Sequence, residues 1–141
     1  MWRAPVLFFS LTLLILVSCY ASHKTKHSSQ SGPCYQVVMG PWLHNDKVEL
    51  AETCRVRFHL SNEGQVRIIE TSCSGQLPYI GKVGKWSLRG NEYEITWATG
   101  LVVTKVTFSV ANSAVVGTAT YFTDTGWALN TTVSGGLTQC Q

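Results

Sequence analysis

The sequence predicts an all-β protein, a small antiparallel up-and-down β-barrel of about eight strands that carries two disulfides. Three observations predict it. Apolar and polar residues alternate with a period of two in most segments after Cys34, turn residues separate these segments, and no useful length of this region has apolar residues at helical spacing. Successive hairpins favour a closed barrel, because closure removes exposed strand edges. A Greek-key β-sandwich is the alternative that the same pattern allows.

The first clear hairpin lies between residues 55 and 68. Residues 55–60 alternate strictly, so that Val56, Phe58 and Leu60 share one face. The sequence Asn62-Glu63-Gly64 is a turn signal, and residues 65–68 resume the alternation on a returning strand.

Further strands follow at short intervals along the chain. Period-two segments occupy residues 86–88, 93–97, 102–110, 115–122 and 127–133. Turn residues stand between them at Gly90-Asn91, Asn112-Ser113 and Asp124-Thr125-Gly126. Short strands with turn signals at this spacing are typical of a barrel or a sandwich.

The five cysteines divide into one and four. Cys19 ends an apolar N-terminal run, whereas the other four are spread through the predicted domain. We expect a Cys54–Cys73 disulfide because these residues bracket the first hairpin, and a Cys34–Cys140 disulfide because the first and last strands of a closed barrel are neighbours. A zinc site is not expected, since no close Cys-x-x-Cys pair occurs.

The N-terminus has the form of an export signal. Residues 6–17 are almost continuously apolar, and cleavage after Ala21 fits a small-x-small pattern. We therefore predict a signal peptide over 1–21, a flexible polar leader over 22–33, a single barrel domain over 34–141, and a secreted protein with no membrane span in the mature chain. The alternatives are an uncleaved N-terminal anchor and a lipid anchor on Cys19, because residues 16–19 resemble a bacterial lipobox.

The charge of the predicted domain argues against a nucleic-acid partner. The chain carries a formal net charge of +3, but Arg3, Lys24 and Lys26 precede Cys34. The remaining eight basic residues are balanced by eight acidic ones in the domain. Nucleic-acid binders normally show a clustered basic surplus, so we expect no nucleic-acid binding.

No catalytic or cofactor motif stands out. Glu92 and Glu94 have a spacing that could suit acid–base work on a sugar, but they alternate on one strand face as solvated side chains commonly do. His44 and His59 are isolated in the sequence, and His59 is expected to face solvent. We therefore predict no enzyme activity, no cofactor and no metal.

Tryptophans suggest a binding function. Trp42, Trp86, Trp97 and Trp127 fall in one domain of modest size, and aromatic interiors are what small-molecule pockets need. The leading expectation is a barrel that binds a small, mainly apolar ligand against these four residues. The alternative is a purely structural role, in which the four tryptophans only fill the core.

A second functional class is an extracellular protein-binding module, such as a protease inhibitor or a host-interaction factor, acting through its loops. Its contact candidates are Arg55, Arg57 and Arg67, which alternation places on the outer face of the first hairpin, and Tyr79 in a later loop. A solvated basic face is the ordinary explanation of such a stripe. Asn130-Thr131-Thr132 is an N-glycosylation sequon, and alternation places Asn130 outward.

Short motifs resemble the calycins, the group that includes lipocalins and avidins. Gly40-Pro41-Trp42 resembles their Gly-x-Trp signature at the opening of the first strand region, and Cys54 with residues 62–64 is similar to an early lipocalin hairpin. Residues 121–124, followed by Gly126, Leu129, Thr131 and Thr132, resemble a late avidin strand pair. A disulfide-closed hairpin behind Gly-x-Trp is also similar to the small barrel inhibitors of bacterial alkaline proteases. The resemblance implies a calycin-like barrel.

The chain departs from both families at functional positions. Residues 43–46 do not provide the polar residues that avidins place after Gly-x-Trp, and the late tryptophan-containing strands of avidins are missing. The resemblance therefore does not imply biotin binding. The terminal helix of lipocalins has no counterpart here.

Overall fold

Ten strands make up the computed structural model, which describes residues 32–73 and 78–141. The strands are β1 (Cys34–Met39), β2 (Trp42–His44), β3 (Lys47–Leu50), β4 (Cys54–Leu60), β5 (Gln65–Thr71), β6 (Val83–Arg89), β7 (Glu92–Ala98), β8 (Val102–Ala111), β9 (Ala114–Thr123) and β10 (Ala128–Thr138). The predicted signal peptide, most of the leader and Cys19 lie outside the described residues.

Eight of these strands close into an antiparallel barrel. β1 pairs with β4 on one side and with β10 on the other, and β4 to β10 follow one another in chain order. The prediction of an up-and-down barrel is therefore confirmed over the sandwich. β2 and β3 form an additional hairpin, which joins the sheet where Leu43 of β2 pairs with Asn130 of β10.

Each end of the barrel carries one of the two disulfides. The upper end contains the Cys34–Cys140 bridge and the turns at Gly90-Asn91 and Asn112-Ser113. The lower end contains the Cys54–Cys73 bridge, the β2–β3 hairpin and the turn at residues 124–127. Both predicted pairings are confirmed, with Cα–Cα distances of 5.3 and 4.8 Å.

The first strand region begins earlier than the Gly-Pro-Trp motif suggests. β1 precedes Gly40, so the motif is the break between β1 and β2 rather than the start of the sheet. Both sides of the break lie along β10, since Met39 pairs with Val133 and Leu43 pairs with Asn130. Gly40 has a φ of 111°, which side-chain-bearing residues rarely adopt.

Thr131 of β10 bridges this break with its hydroxyl. Its Oγ1 accepts a hydrogen bond from the Gly40 N–H at 3.0 Å and donates one to the Pro41 carbonyl at 2.7 Å. These bonds replace the sheet contacts that the chain loses between β1 and β2. Because Thr131 is 6% exposed, the bridge is shielded from competing water.

The strand alternation places aromatic rings in the barrel interior. Rings collect in the upper half, where Phe108 stacks on Tyr93 with centroids 5.1 Å apart and meets Tyr35 edge-on at 5.5 Å. Phe58 lies 5.8 Å from Tyr35. This aromatic cluster supplies a large share of the apolar area that stabilises the fold.

Two glycines allow neighbouring strands to approach closely. A Cβ on Gly117 would collide with the Thr107 carbonyl oxygen of β8, and a Cβ on Gly135 would collide with the Gln36 carbonyl oxygen of β1. Glycines at such positions let strands bend into a narrow barrel.

The two disulfides should differ in their contribution to stability. Chain-entropy estimates give about 5 kcal/mol for the Cys34–Cys140 bridge and about 3 kcal/mol for the Cys54–Cys73 bridge, since their sequence separations are 106 and 19 residues. We expect the double variant Cys34→Ala/Cys140→Ala to unfold at a lower urea concentration than Cys54→Ala/Cys73→Ala. The opposite order would show that native packing around each disulfide, and not the length of the loop it closes, determines its contribution to stability.

Candidate functional site

The four tryptophans divide between the two halves of the barrel. Trp42 and Trp97 are completely buried, at 0% and 1% exposure, whereas Trp86 and Trp127 are half-buried. Trp86 belongs to the upper half, where its indole N–H donates to the Ser61 carbonyl at 2.8 Å and its ring lies 5.9 Å from Tyr93. The other three line the lower half, so the four do not form one continuous surface.

The lower half contains a pair of buried polar groups without partners. Trp97 of β7 and Thr104 of β8 are directly opposite each other in the ladder, and both point inward. Among the described residues, neither Trp97 Nε1 nor Thr104 Oγ1 has a hydrogen-bond partner. Leaving such a group unpaired costs about 1–3 kcal/mol, so native proteins contain few of them.

Small residues occupy inward positions near this pair. A Cβ on Gly84 would lie 2.9 Å from Trp97 Nε1, so the polar edge of the indole rests directly against this glycine. Ala119 and Thr131 are also inward and buried, whereas the corresponding layer of the upper half holds large rings. The lower half therefore combines hydrogen-bonding capacity with a few short side chains set among large ones such as Trp42 and Tyr121.

Tyr121 extends the same layer and connects it to the lower end. It lies opposite Thr104 on the neighbouring strand and is 2% exposed, and burial raises the pKa of its hydroxyl. Trp127 meets it edge-on, with ring centroids 6.2 Å apart. Tyr121 was not among the predicted lining residues, although its inward position follows from the alternation in β9.

His44 is a member of the lower end that sequence analysis missed. Its Nδ1–H donates to the Ala128 carbonyl at 2.8 Å, and its Nε2 accepts from Asn45 Nδ2 at 3.1 Å. The ring lies 5.8 Å from that of Trp127. His44 thus fixes the β2–β3 hairpin against the start of β10.

The basic stripe is only partly available to a partner. Arg57 is paired with Glu70, with Nη2 3.0 Å from Oε2, while Arg55 and Arg67 are exposed. A small concavity of about 50 Å³ between β1, β4 and β5 is lined by Gln36, Arg55, Arg57, Glu70 and Ser72. The cation of Arg57 is therefore neutralised locally, and the three arginines do not act as one charged row.

Tyr79 lies on the segment that closes the lower end. Pro78 is buried, and Tyr79 and Ile80 are half-buried against the hydrophobic core. The first two residues of the contact loop predicted over 76–80 lie outside the described residues. Tyr79 therefore has more contact with the core than a free loop residue would have.

His59 does not face solvent as expected. It is 4% exposed, because the backbone at Gly32 lies over its imidazole, and a Cβ there would be 3.1 Å from Nε2. Burial lowers the pKa of this histidine, and the positive charge of Arg67 lowers it further. Alternation placed His59 on the outer face, but the chain before β1 covers that position.

Glu94, one of the two carboxylates considered above, forms an ordinary ion pair on the outer face. Glu94 Oε2 lies 2.8 Å from Lys105 Nζ, and this hydrogen bond lowers the pKa of the glutamate. No group of three His, Cys, Asp or Glu residues suited to a metal ion occurs within residues 32–73 and 78–141. The described chain also contains no helix with the length and hydropathy that a membrane crossing requires.

No protein-family model matches this chain, and a search of curated proteins found no match.

Two buried threonines provide a matched test of this geometry. Thr131→Val removes both bonds to the β1–β2 break and should lower the free energy of unfolding by about 1–3 kcal/mol. Thr104→Val removes an unpaired hydroxyl at nearly constant volume and should leave stability unchanged or raise it by up to about 1 kcal/mol. Urea unfolding of both variants would check this, and an equal loss in both would show that Thr104 has a structural partner.

Burial of His59 predicts a pH dependence. Its pKa in the folded state lies below the ordinary 6.5, so the unfolded chain binds the proton more tightly. The free energy of unfolding should therefore fall as the pH is lowered through 6.5 toward the folded-state value. His59→Gln should flatten this dependence, and parallel profiles for wild type and His59→Gln would contradict the assignment.

Proposed function

We propose that this protein is a secreted binding protein whose barrel takes a small, mainly apolar molecule in its lower half. Trp97 and Thr104 supply the polar contacts, and Trp42, Tyr121 and Trp127 supply apolar surface. In this proposal the protein binds its ligand without transforming it.

The unpaired Trp97–Thr104 pair is the observation that carries the proposal. An indole N–H can only donate, while a hydroxyl can both donate and accept. A ligand with one carbonyl or hydroxyl oxygen and an otherwise apolar body would satisfy both groups at once. Such a combination, a few placed polar groups in an aromatic interior, is typical of small-molecule sites.

The short side chains around Trp97 suggest where the ligand lies. Large rings already pack against one another in the upper half, so additional volume there would force them from their rotamers. Around Trp97 the inward positions are held by Gly84, Ala119 and Thr131, where the side chains are short. The proposed ligand is accordingly small.

The resemblance to calycins supports the same proposal at a finer level than the barrel alone. Gly40-Pro41-Trp42 lies at the lower end, where Trp42 is fully buried and borders a depression of about 20 Å³ that includes Pro78 and the Cys54–Cys73 bridge. This position makes Trp42 the floor of the proposed site.

Secretion is supported by the two disulfides, which persist in oxidising compartments. It is also supported by the apolar N-terminal run that ends before Ala21. An extracellular protein-binding role through the arginine stripe is less favoured, because Glu70 already neutralises Arg57 and Tyr79 packs against the core.

Titration of tryptophan fluorescence with apolar ligands that carry one oxygen tests the proposal. We use a series of medium-chain alcohols, aldehydes and simple phenols, and expect saturable quenching or a spectral shift. Thr104→Val should weaken binding about tenfold, because one hydrogen bond contributes about 1–1.5 kcal/mol. Trp97→Phe should weaken it similarly.

The control variant is Trp86→Phe, whose indole N–H is already bonded to Ser61. Its affinity should equal that of the wild type. The proposal would be overturned if no ligand of the series gave saturable binding and the Thr104 methyl NMR signal did not move. Equal weakening by Trp97→Phe and Trp86→Phe would also place the ligand elsewhere.

A further inference from the structure

The sequon residue Asn130 lies within an apolar concavity on the outside of the barrel. The concavity has a volume of about 430 Å³ and runs between β2 and β9 across β10. Its lining comprises Pro41, Leu43, Thr118, Ala119, Thr120, Asn130, Thr131 and Thr132. None of these residues carries a charge, so the surface has no counterpart for an ionic partner.

Asn130 is held at the centre of this surface. It pairs with Thr120 on one side and with Leu43 on the other. Its Oδ1 accepts a hydrogen bond from Thr120 Oγ1 at 3.0 Å, which fixes the plane of the side-chain amide. Thr132, the hydroxyl residue of the sequon, is exposed on the same face, about 7 Å further along the strand.

Exposed apolar side chains continue the surface on both sides of Asn130. Val48 of β3 is 59% exposed and lies directly opposite Leu43. Phe122 of β9 is 37% exposed and lies opposite Ala128, two residues before Asn130. Contiguous exposed apolar surface of this kind marks an interaction site or an aggregation liability unless something covers it.

We propose that Asn130 carries an N-linked glycan whose first sugars lie over this concavity and cover its apolar lining. The sequon is the reason to choose a glycan as the occupant, since it is the only Asn-x-Ser/Thr sequence in the chain and stands at the centre of the surface. Sugar rings also suit the lining, because their C–H faces can pack on Leu43 and Pro41 while their hydroxyls meet the threonines.

The modification is a glycosyl transfer from a lipid-diphosphate-linked oligosaccharide. The Asn130 amide nitrogen Nδ2 forms a bond to the anomeric carbon C1 of the first sugar. The C1–O bond to the lipid diphosphate breaks, and the diphosphate leaves with the bonding electron pair. Nδ2 loses one proton to a base of the transferring enzyme, so the side chain remains a neutral amide.

The test compares two substitutions at one exposed position. Thr132→Ser preserves the sequon and Thr132→Ala destroys it, while Asn130 and the buried Thr131 stay unchanged in both. The wild type and both variants are expressed with the signal sequence in secreting eukaryotic cells. Intact mass and peptide mapping then report whether residue 130 carries hexosamine-based oligosaccharide, which we expect for the wild type and Thr132→Ser only.

Hydroxyl-radical footprinting of the folded proteins tests the covering. Oxidation of Leu43 and Pro41 should be at least threefold lower in the glycan-bearing Thr132→Ser than in Thr132→Ala. Oxidation of Leu88, which is 51% exposed at the upper end, should be equal in the two. Thr132→Ala should also bind more of a dye that reports apolar surface.

Two results would overturn the proposal. The first is an unmodified Asn130 in wild-type protein that is secreted with both disulfides formed, which would show that no glycan is attached. A modified Asn130 with equal oxidation of Leu43 in the two variants would show that the glycan extends into solvent and leaves the concavity open. Neither result decides whether a ligand binds inside the barrel, which the fluorescence titration tests separately.

Discussion

The position of β1 between β4 and β10 is the constraint on which the other features of this protein depend. That position closes the barrel, and closure requires the chain to leave β1, form the β2–β3 hairpin and return as β4. The chain can do so because Thr131 satisfies the backbone at the break, bonding to Gly40 on one side and Pro41 on the other. A single buried hydroxyl thus joins the first and last strands where the ladder is interrupted.

Closure also determines what the alternation along each strand means. The inward side chains of all eight strands share one interior of limited volume. Large side chains therefore require small ones among their neighbours. Tyr35, Tyr93 and Phe108 fill the upper half, and the glycines at 117 and 135 let the backbone come close enough for these rings to pack. Burial and the neighbouring Tyr93 raise the pKa of Tyr35 to about 12, as expected for a hydroxyl held in such a cluster. The lower half mixes large rings with short side chains such as Ala119, and the polar atoms of Trp97 and Thr104 lie there.

The alternation and the turns were sufficient to predict the class, the order of the hairpins and both disulfides. These signals are local, or depend only on the fact that the ends of a closed sheet meet. The position of β1 was less apparent, because Cys34–Met39 is buried between two strands and its outward residues are not consistently polar. The burial of His59 was missed because alternation predicts only the face of the sheet on which a residue lies. It does not predict that the segment before β1 covers that face. The division of the tryptophans between two halves depends on strand stagger, which a single sequence does not specify, and the partners of Thr131 lie about ninety residues away.

A closed barrel has no strand edges, yet the β2–β3 hairpin adds one. In the described part of the chain β3 has a neighbour on one side only. This edge is four residues long, carries Lys47 and Glu49, and faces a bulge between Trp42 and Leu43. Short length, charge and a bulge each discourage another strand from adding to a sheet. The hairpin therefore enlarges the lower end without giving a second molecule a template on which to extend the sheet.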